Sequence, residues 1–281
     1  MKVFILALDG LEYNLVLKWK LKNLIQKKFG WFRVGDEYKI QKSTTSVPYT
    51  PIVWTSFLTG VHPSIHGIKR LYTYGKFFEF VRNLPLIRSV KGKRKIFQKL
   101  GVRYRLVNKK DLANKTIFDV VTPSIAVYFV CYNNPTWLWR KIQKVAQGLG
   151  KRYSIEDLDA VIWEGYRIRK SEVFRRLDDN WVLFGAYFEI ADRMGHLHIA
   201  KRPLKLMKVY LELNRLAGEL KKRLPDDIVF LIISDHGMEV SEDGVSGNHS
   251  ERAFYSFNVN EDWEPKDFTD YYPKILEWIN R

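Results

Sequence analysis

Three carboxylates follow apolar runs in this chain. Asp9 comes directly after Val3–Leu8, Asp235 comes one residue after Ile228–Ile233, and Asp192 comes a short turn beyond Val182–Phe188. Histidines accompany them: His196 is four residues past Asp192, His236 is adjacent to Asp235, and His249 follows in a glycine-rich loop. If the apolar runs are parallel strands, their carboxyl ends share one edge of a sheet, where open α/β folds place ligands. Carboxylates crowded at that edge repel one another and require protons or a cation between them. Oxygen and imidazole donors suit Zn2+ or Mn2+ better than soft metals. Six such donors are too many for one tetrahedral zinc and enough for two ions ~4 Å apart, an arrangement that clamps both oxygens of an in-line phosphoryl displacement. Asp192 and His196 taken alone are an ordinary ion pair. Three strand-end acids with three histidines following two of them are not an ordinary coincidence.

Thr50 offers a hydroxyl to such a site. It stands at a loop end before Pro51, and the apolar run Ile52–Leu58 predicts a short buried helix that stops at Gly60. Proline is favoured at the first helical position. Thr50 would then cap the helix by accepting a backbone N–H, and free N–H groups at the same helix end would stabilise a developing phosphate charge. Capping and nucleophilic attack are both open to it. Thr55 and Ser56, one turn further in, read as structural hydroxyls.

The elements that must position these groups alternate in type. Continuous apolar runs at 3–8, 125–131, 182–188 and 228–233 read as strands buried on both faces. Helical patterns read over about 11–29, with Leu17, Leu21, Leu24 and Ile25 on one face and Gly30 as the stop. Others read over 116–121, 136–148, 155–178, from Pro203 onward and over 267–280, and weaker strands over 31–40 and 253–259. Strands alternating with helices predict a three-layer α/β/α sandwich with a mostly parallel central sheet, built as a single domain over 1–281.

The 281 residues, 46% of them hydrophobic, are enough for one large core. The net charge of +16 favours anionic partners: nucleic acid, anionic lipid or phosphorylated substrates. Much of the charge falls in 69–112, where Tyr72, Tyr74, Phe77, Phe78 and Phe80 precede a run of Lys and Arg with no acid between Arg82 and Lys110. This segment reads as an insertion, either a lid or cap or a nucleic-acid surface. No apolar run reaches the ~20 residues of a membrane span, no signal-peptide cleavage site follows the apolar start, and the single Cys131 excludes an internal disulfide. Together these predict a cytoplasmic protein.

In order and spacing, Asp9-Gly10, Thr50, Asp192-x-x-Gly195-His196, Asp235-His236-Gly237-Met238 and Gly247-Asn248-His249 resemble the alkaline phosphatase superfamily, and within it the type I phosphodiesterase/nucleotide pyrophosphatase branch. Thr59-Gly60, Pro63 and His66-Gly67-Ile68 are similar to the segment that follows the nucleophile there. The resemblance implies an alkaline phosphatase-like fold and a two-metal hydrolase of phosphodiester or pyrophosphate bonds, acting through a phospho-threonine intermediate on Thr50. It implies two divalent ions, zinc or manganese. Asp192, His196 and His249 would hold one, and Asp9, Asp235 and His236 the other, with Thr50 bridging toward it. Metal coordination would lower the Thr50 hydroxyl pKa. Members of the nucleotide branch often carry Asn three positions after the nucleophile, where this chain has Val53. His62 reads as a turn residue and His198 as a support near the site. The same site could serve a phosphomonoesterase or phosphotransferase. A different class of protein would use the basic segment to bind nucleic acid or lipid and keep the metal site as a vestige.

Overall fold

Strand β1 (Val3–Leu8) is apolar at every position because both of its faces are covered. Phe4, Leu6 and Leu8 enter one hydrophobic cluster, and Val3, Ile5 and Ala7 enter the other. This is the two-residue alternation of a pleated strand with helices on both sides.

The computed structural model describes residues 1–42, 45–75 and 104–281. After β1 come α1 (Tyr13–Lys18), β2 (Lys28–Arg33), β3 (Lys39–Lys42), β4 (Thr45–Pro48), α2 (Thr50–Thr59), α3 (Pro63–His66), β5 (Tyr72–Thr73) and β6 (Arg105–Leu106). The chain continues with α4 (Ile117–Val120), β7 (Ser124–Val127), α5 (Thr136–Gln147), α6 (Ile155–Arg176), β8 (Leu183–Phe188) and α7 (Ile190–His198). It closes with α8 (Pro203–Arg223), β9 (Val229–Ile233), β10 (Gly237–Val240), β11 (Gly247–Ser250), β12 (Arg252–Phe257) and α9 (Tyr271–Asn280).

The central sheet has the order β2-β12-β9-β1-β8-β7. β9, β1, β8 and β7 run parallel, and β12 pairs antiparallel with both β9 and β2. Helices α5, α6, α7 and α8 pack on the face that holds Phe4 and Leu6, and α2, α4 and α9 pack on the other. The three-layer α/β/α architecture is therefore present, with a mixed sheet whose centre is parallel.

Three local expectations differ. The helix expected to reach Phe29 ends at Lys18, and Leu17 is exposed while Leu21 and Leu24 are buried through a turn. Gly30 lies inside β2, where a Cβ would stand 2.7 Å from the Tyr255 hydroxyl; it permits a close approach and stops no helix. The strand expected over 125–131 ends at Val127, because Tyr128 and Cys131 adopt positive φ of 50° and 59°. The expected 31–40 strand is split between β2 in the central sheet and β3, which pairs only with β4.

The basic segment's described ends meet each other: β5 pairs antiparallel with β6 through Tyr72↔Leu106 and Thr73↔Arg105. Residues 76–103, with most of the basic run, lie outside the described residues. No helix among the described residues is long and apolar enough to cross a membrane.

Phe4 is fully buried and stacks on Phe184 at 4.9 Å between ring centres. Phe4→Ala is expected to cost about 3–5 kcal/mol of stability, read as a lower urea midpoint with an unchanged slope.

Candidate active site

The parallel register brings the carboxyl ends of β1, β8 and β9 to one edge. Phe188 is level with Leu8, and Ile233 with Ala7. Asp9 continues β1, with its N–H donating to Phe188 O at 3.0 Å. Asp235 lies two residues past β9 and accepts the Gly10 N–H at 3.2 Å. Asp192 lies in the first turn of α7, and its N–H donates to Asp9 O at 3.0 Å. That last bond requires a glycine beside it. Gly10 has φ +72°, and a Cβ there would stand 2.6 Å from the Asp192 Cα.

The acids and histidines named from sequence come together. His236 Nε2 lies 3.4 Å from Asp9 Oδ1, 3.4 Å from Asp235 Oδ2 and 4.0 Å from Asp192 Oδ1. Asp192 Oδ1 is also 3.3 Å from His196 Nε2 and 3.2 Å from His249 Nε2, and those two nitrogens are 2.9 Å apart. Two donor groups result, Asp9/Asp235/His236 and Asp192/His236/His249, with His196 against the second. Thr50 Oγ1 stands 3.5 Å from His236 Nε2.

The donor set fits divalent ions. Each imidazole spends Nδ1–H on a backbone carbonyl: His196 on Gly247 O, His249 on Pro48 O, and His236 on Gly237 O. All three Nε2 atoms therefore face the cluster, the orientation in which a second partner fixes the ligating nitrogen of a metal-binding histidine. Asp9 Oδ1, Asp192 Oδ1 and Asp235 Oδ2 are buried with no hydrogen-bond partner, which is costly unless positive charge lies among them. The acid–base balance shows the same demand. Burial, reinforced by Asp9, pushes Asp235 well above the usual carboxylate range. Burial works against the His236 cation, yet Asp235 and Asp9 outweigh it and push that imidazole up to about 10. For Asp192, burial is outweighed by His196 and His249, which hold it well below the usual range. Burial and the neighbouring His236 lower His249.

Some expectations change. Tyr49, not Thr50, is the N-cap of α2; Thr50 is the first helical residue and Pro51 the second. The N–H groups of Ile52 and Val53 are both taken by Tyr49 O, so neither is free for an anion, and the helix end offers the dipole and the Thr50 N–H. Val53 is fully buried in the core and does not face the cluster. Thr55 and Thr59 hydroxyls donate to backbone carbonyls one turn back, and Ser56 pairs with His66 Nε2 at 3.0 Å. His62 caps α3. His198 is directed away from the cluster, to Asp159 of α6 at 2.6 Å.

Two supporting residues carry no signal in the sequence. The Tyr187 hydroxyl donates to Asp9 Oδ2, which leaves Oδ1 for the cluster. Glu12 is buried between the elements that bear the acids and histidines of the cluster. It accepts from Met238 N at 3.1 Å, Ser250 Oγ at 2.6 Å and Arg252 Nε at 2.6 Å. It thus ties the loop after β1 to the β10–β11 hairpin, between His236 and His249. Spacing could not reveal either, since their partners are remote in sequence.

A model of the type I phosphodiesterase / nucleotide pyrophosphatase family matches residues 3–254. Among solved structures, human ectonucleotide pyrophosphatase / phosphodiesterase 5 aligns with a TM-score of 0.50 and 14% identity, covering 100% of this chain and 95% of that one. The murine protein of the same name aligns with a TM-score of 0.47 and 19% identity, over 86% of this chain and 59% of that one. Phosphonoacetate hydrolase from Sinorhizobium meliloti 1021 aligns with a TM-score of 0.46 and 14% identity, over 88% and 59% respectively. The chain thus spans 59% of the murine protein's length. A search of curated protein sequences gives no significant match. The human structure supports the α/β fold.

Glu12→Ala should cost about 3 kcal/mol, because it leaves Arg252 and the Met238 N–H without their buried partner. Chemical denaturation of the variant beside Glu12→Gln measures the loss, which should be smaller for Gln.

Proposed function

Because the chain belongs to the type I phosphodiesterase / nucleotide pyrophosphatase family, we propose that it is a metal-dependent hydrolase of phosphodiester or pyrophosphate bonds, with Thr50 as its nucleophile. The observation that carries this reading is the set of three orphaned carboxylate oxygens facing three Nε2 atoms beside a helix-terminal hydroxyl. On this reading Asp9, Asp235 and His236 hold one divalent ion, with Thr50 toward it, and Asp192, His196 and His249 hold the other. Zinc is the first candidate by donor type and manganese the second. Bound there, the ions supply Lewis-acid charge at phosphorus and at the attacking and leaving oxygens.

The chain's own residues do the rest. The Thr50 oxygen attacks phosphorus and a new P–O bond forms, the bond from phosphorus to the leaving alkoxide or phosphate breaks with its electron pair on the leaving oxygen, and the hydroxyl proton passes to solvent, which protonates the leaving group where its basicity requires. Water then cleaves the phospho-threonine ester and restores the hydroxyl. The start of α2 holds Thr50 rigidly in line, since Pro51 fixes its own φ and residues 51–59 are buried. The positive end of that helix favours the incoming anion. Substrate selection falls to the neighbouring neck. The Tyr49 side chain meets the backbone of Leu71, so the basic segment 69–112 leaves the core beside Thr50 and is the candidate cap over an anionic, nucleotide-type substrate. Nucleic acid as a partner gains nothing from the comparisons.

Bis(p-nitrophenyl) phosphate should be cleaved faster than the corresponding monoester; the reverse order would make the protein a phosphomonoesterase. Thr50→Ala should lower that turnover by about three orders of magnitude while elemental analysis finds metal content unchanged. Full residual turnover would remove Thr50 from this role, and dialysed protein free of zinc and manganese would overturn the two-metal reading. Tyr187→Phe should weaken metal binding about 10–100-fold, measured by competition with a chelating dye.

A further inference from the structure

A groove of about 740 Å³ runs between α6 and α8. Val161, Ile162 and Val173 of α6, and Leu206, Val209 and Leu213 of α8, enter the core. The groove is lined by positions that those faces leave outside. Ala160, Trp163 and Arg167 form the α6 wall, and Lys208, Leu211 and Arg215 form the α8 wall, both at i, i+3 and i+7. Tyr166 and Glu212 bridge the helices, the Tyr166 hydroxyl donating to Glu212 at 2.7 Å.

Apolar surface is unspent here. Leu211 is 48% exposed, and Leu204, two turns earlier on the same side of α8, is 73% exposed. Seven residues of helix set them ~10 Å apart. An exposed apolar track of that length beside a half-buried tryptophan marks a contact surface.

Charge is unspent too, and it has one sign. The carboxylates along this seam are already paired. Glu156 accepts from Arg202 at 2.8 Å and Asp159 from Lys205 at 2.8 Å. Glu212 accepts from Lys170 at 3.2 Å and also from Arg215, and Glu219 lies 2.8 Å from Lys170. Among the described residues, Arg167 and Lys208 pair with no carboxylate. Lys208 reaches across the groove instead, its Nζ 5.9 Å from the centre of the Trp163 ring.

We propose that this groove binds an amphiphilic anion. Arg167 and Lys208 hold its carboxylate or phosphate head, and its apolar body lies against Trp163 and Leu211. A neutral apolar ligand would leave both cations unanswered, and a small hydrophilic anion would leave the apolar track in water. The groove has the volume of sites that take small organic ligands. No phosphoryl transfer is involved, so this site and the hydrolase assignment stand or fall separately.

The test is isothermal titration calorimetry of the native protein with decanoate, decyl phosphate and decanol, each below its solubility limit. At least one of the two anions should bind saturably, at least about tenfold tighter than decanol, an increment that two exposed ion pairs can supply. The tighter of the two anions identifies the head group. Arg167→Glu/Lys208→Glu should lose the preference for an anion, and Leu211→Asp should weaken all three probes. Lys18→Glu/Lys222→Glu makes the same change in net charge elsewhere and should bind like the native chain. All five substituted residues are exposed, so each variant should keep the native thermal midpoint. Decanol binding as tightly as the anions, no saturable binding of either anion, or equal losses in the two charge-reversed variants would overturn the proposal.

Discussion

Buried like charge is the constraint on which the rest of this structure depends. Asp9, Asp192 and Asp235 are drawn to one sheet edge by the register of β1, β8 and β9, and each keeps an oxygen with no hydrogen-bond partner. Such a cluster is unstable without positive charge. Three imidazoles meet that demand in part. They are aimed by backbone carbonyls so that every Nε2 faces the acids. His236 stands between both donor groups and is the point where they join.

The surrounding fold reads as scaffolding for that cluster. Tyr187 fixes which Asp9 oxygen is free, and Arg169 lies over the Tyr187 ring from behind while bonding Tyr128 O, Asn134 and Glu189. Glu12 locks the β10–β11 hairpin against the loop after β1, and Gly10 allows that loop to touch α7. These contacts hold the acids and imidazoles on strand ends and helix termini, where position is set by packing and not by loop flexibility.

Helix α2 has a narrower part in the site than its position suggests. Helix α2 is buried along its length, its Val53 faces the core, and its Ile52 and Val53 N–H groups are occupied by Tyr49 O. The helix thus positions Thr50 and offers little else to a phosphate. A fold shared by many activities changes substrate through an element grafted beside a fixed site.

The α/β architecture and the residues gathered at its edge were legible in the sequence. Apolar runs buried on both faces can only be central strands, and residues that directly follow such strands share an edge. Asp9, Asp192 and Asp235 were legible for that reason, Thr50 by its place before Pro51, and His196, His236 and His249 by their spacing after the acids. Boundaries set by remote contacts were not. Gly30 resembles a helix stop until the Tyr255 ring is seen against it, and Thr50 resembles a cap until Tyr49 is seen to occupy that position. Glu12 and Tyr187 became visible only once the chain was folded. Their roles consist of contacts across well over a hundred residues of chain, and no local pattern records a contact of that kind.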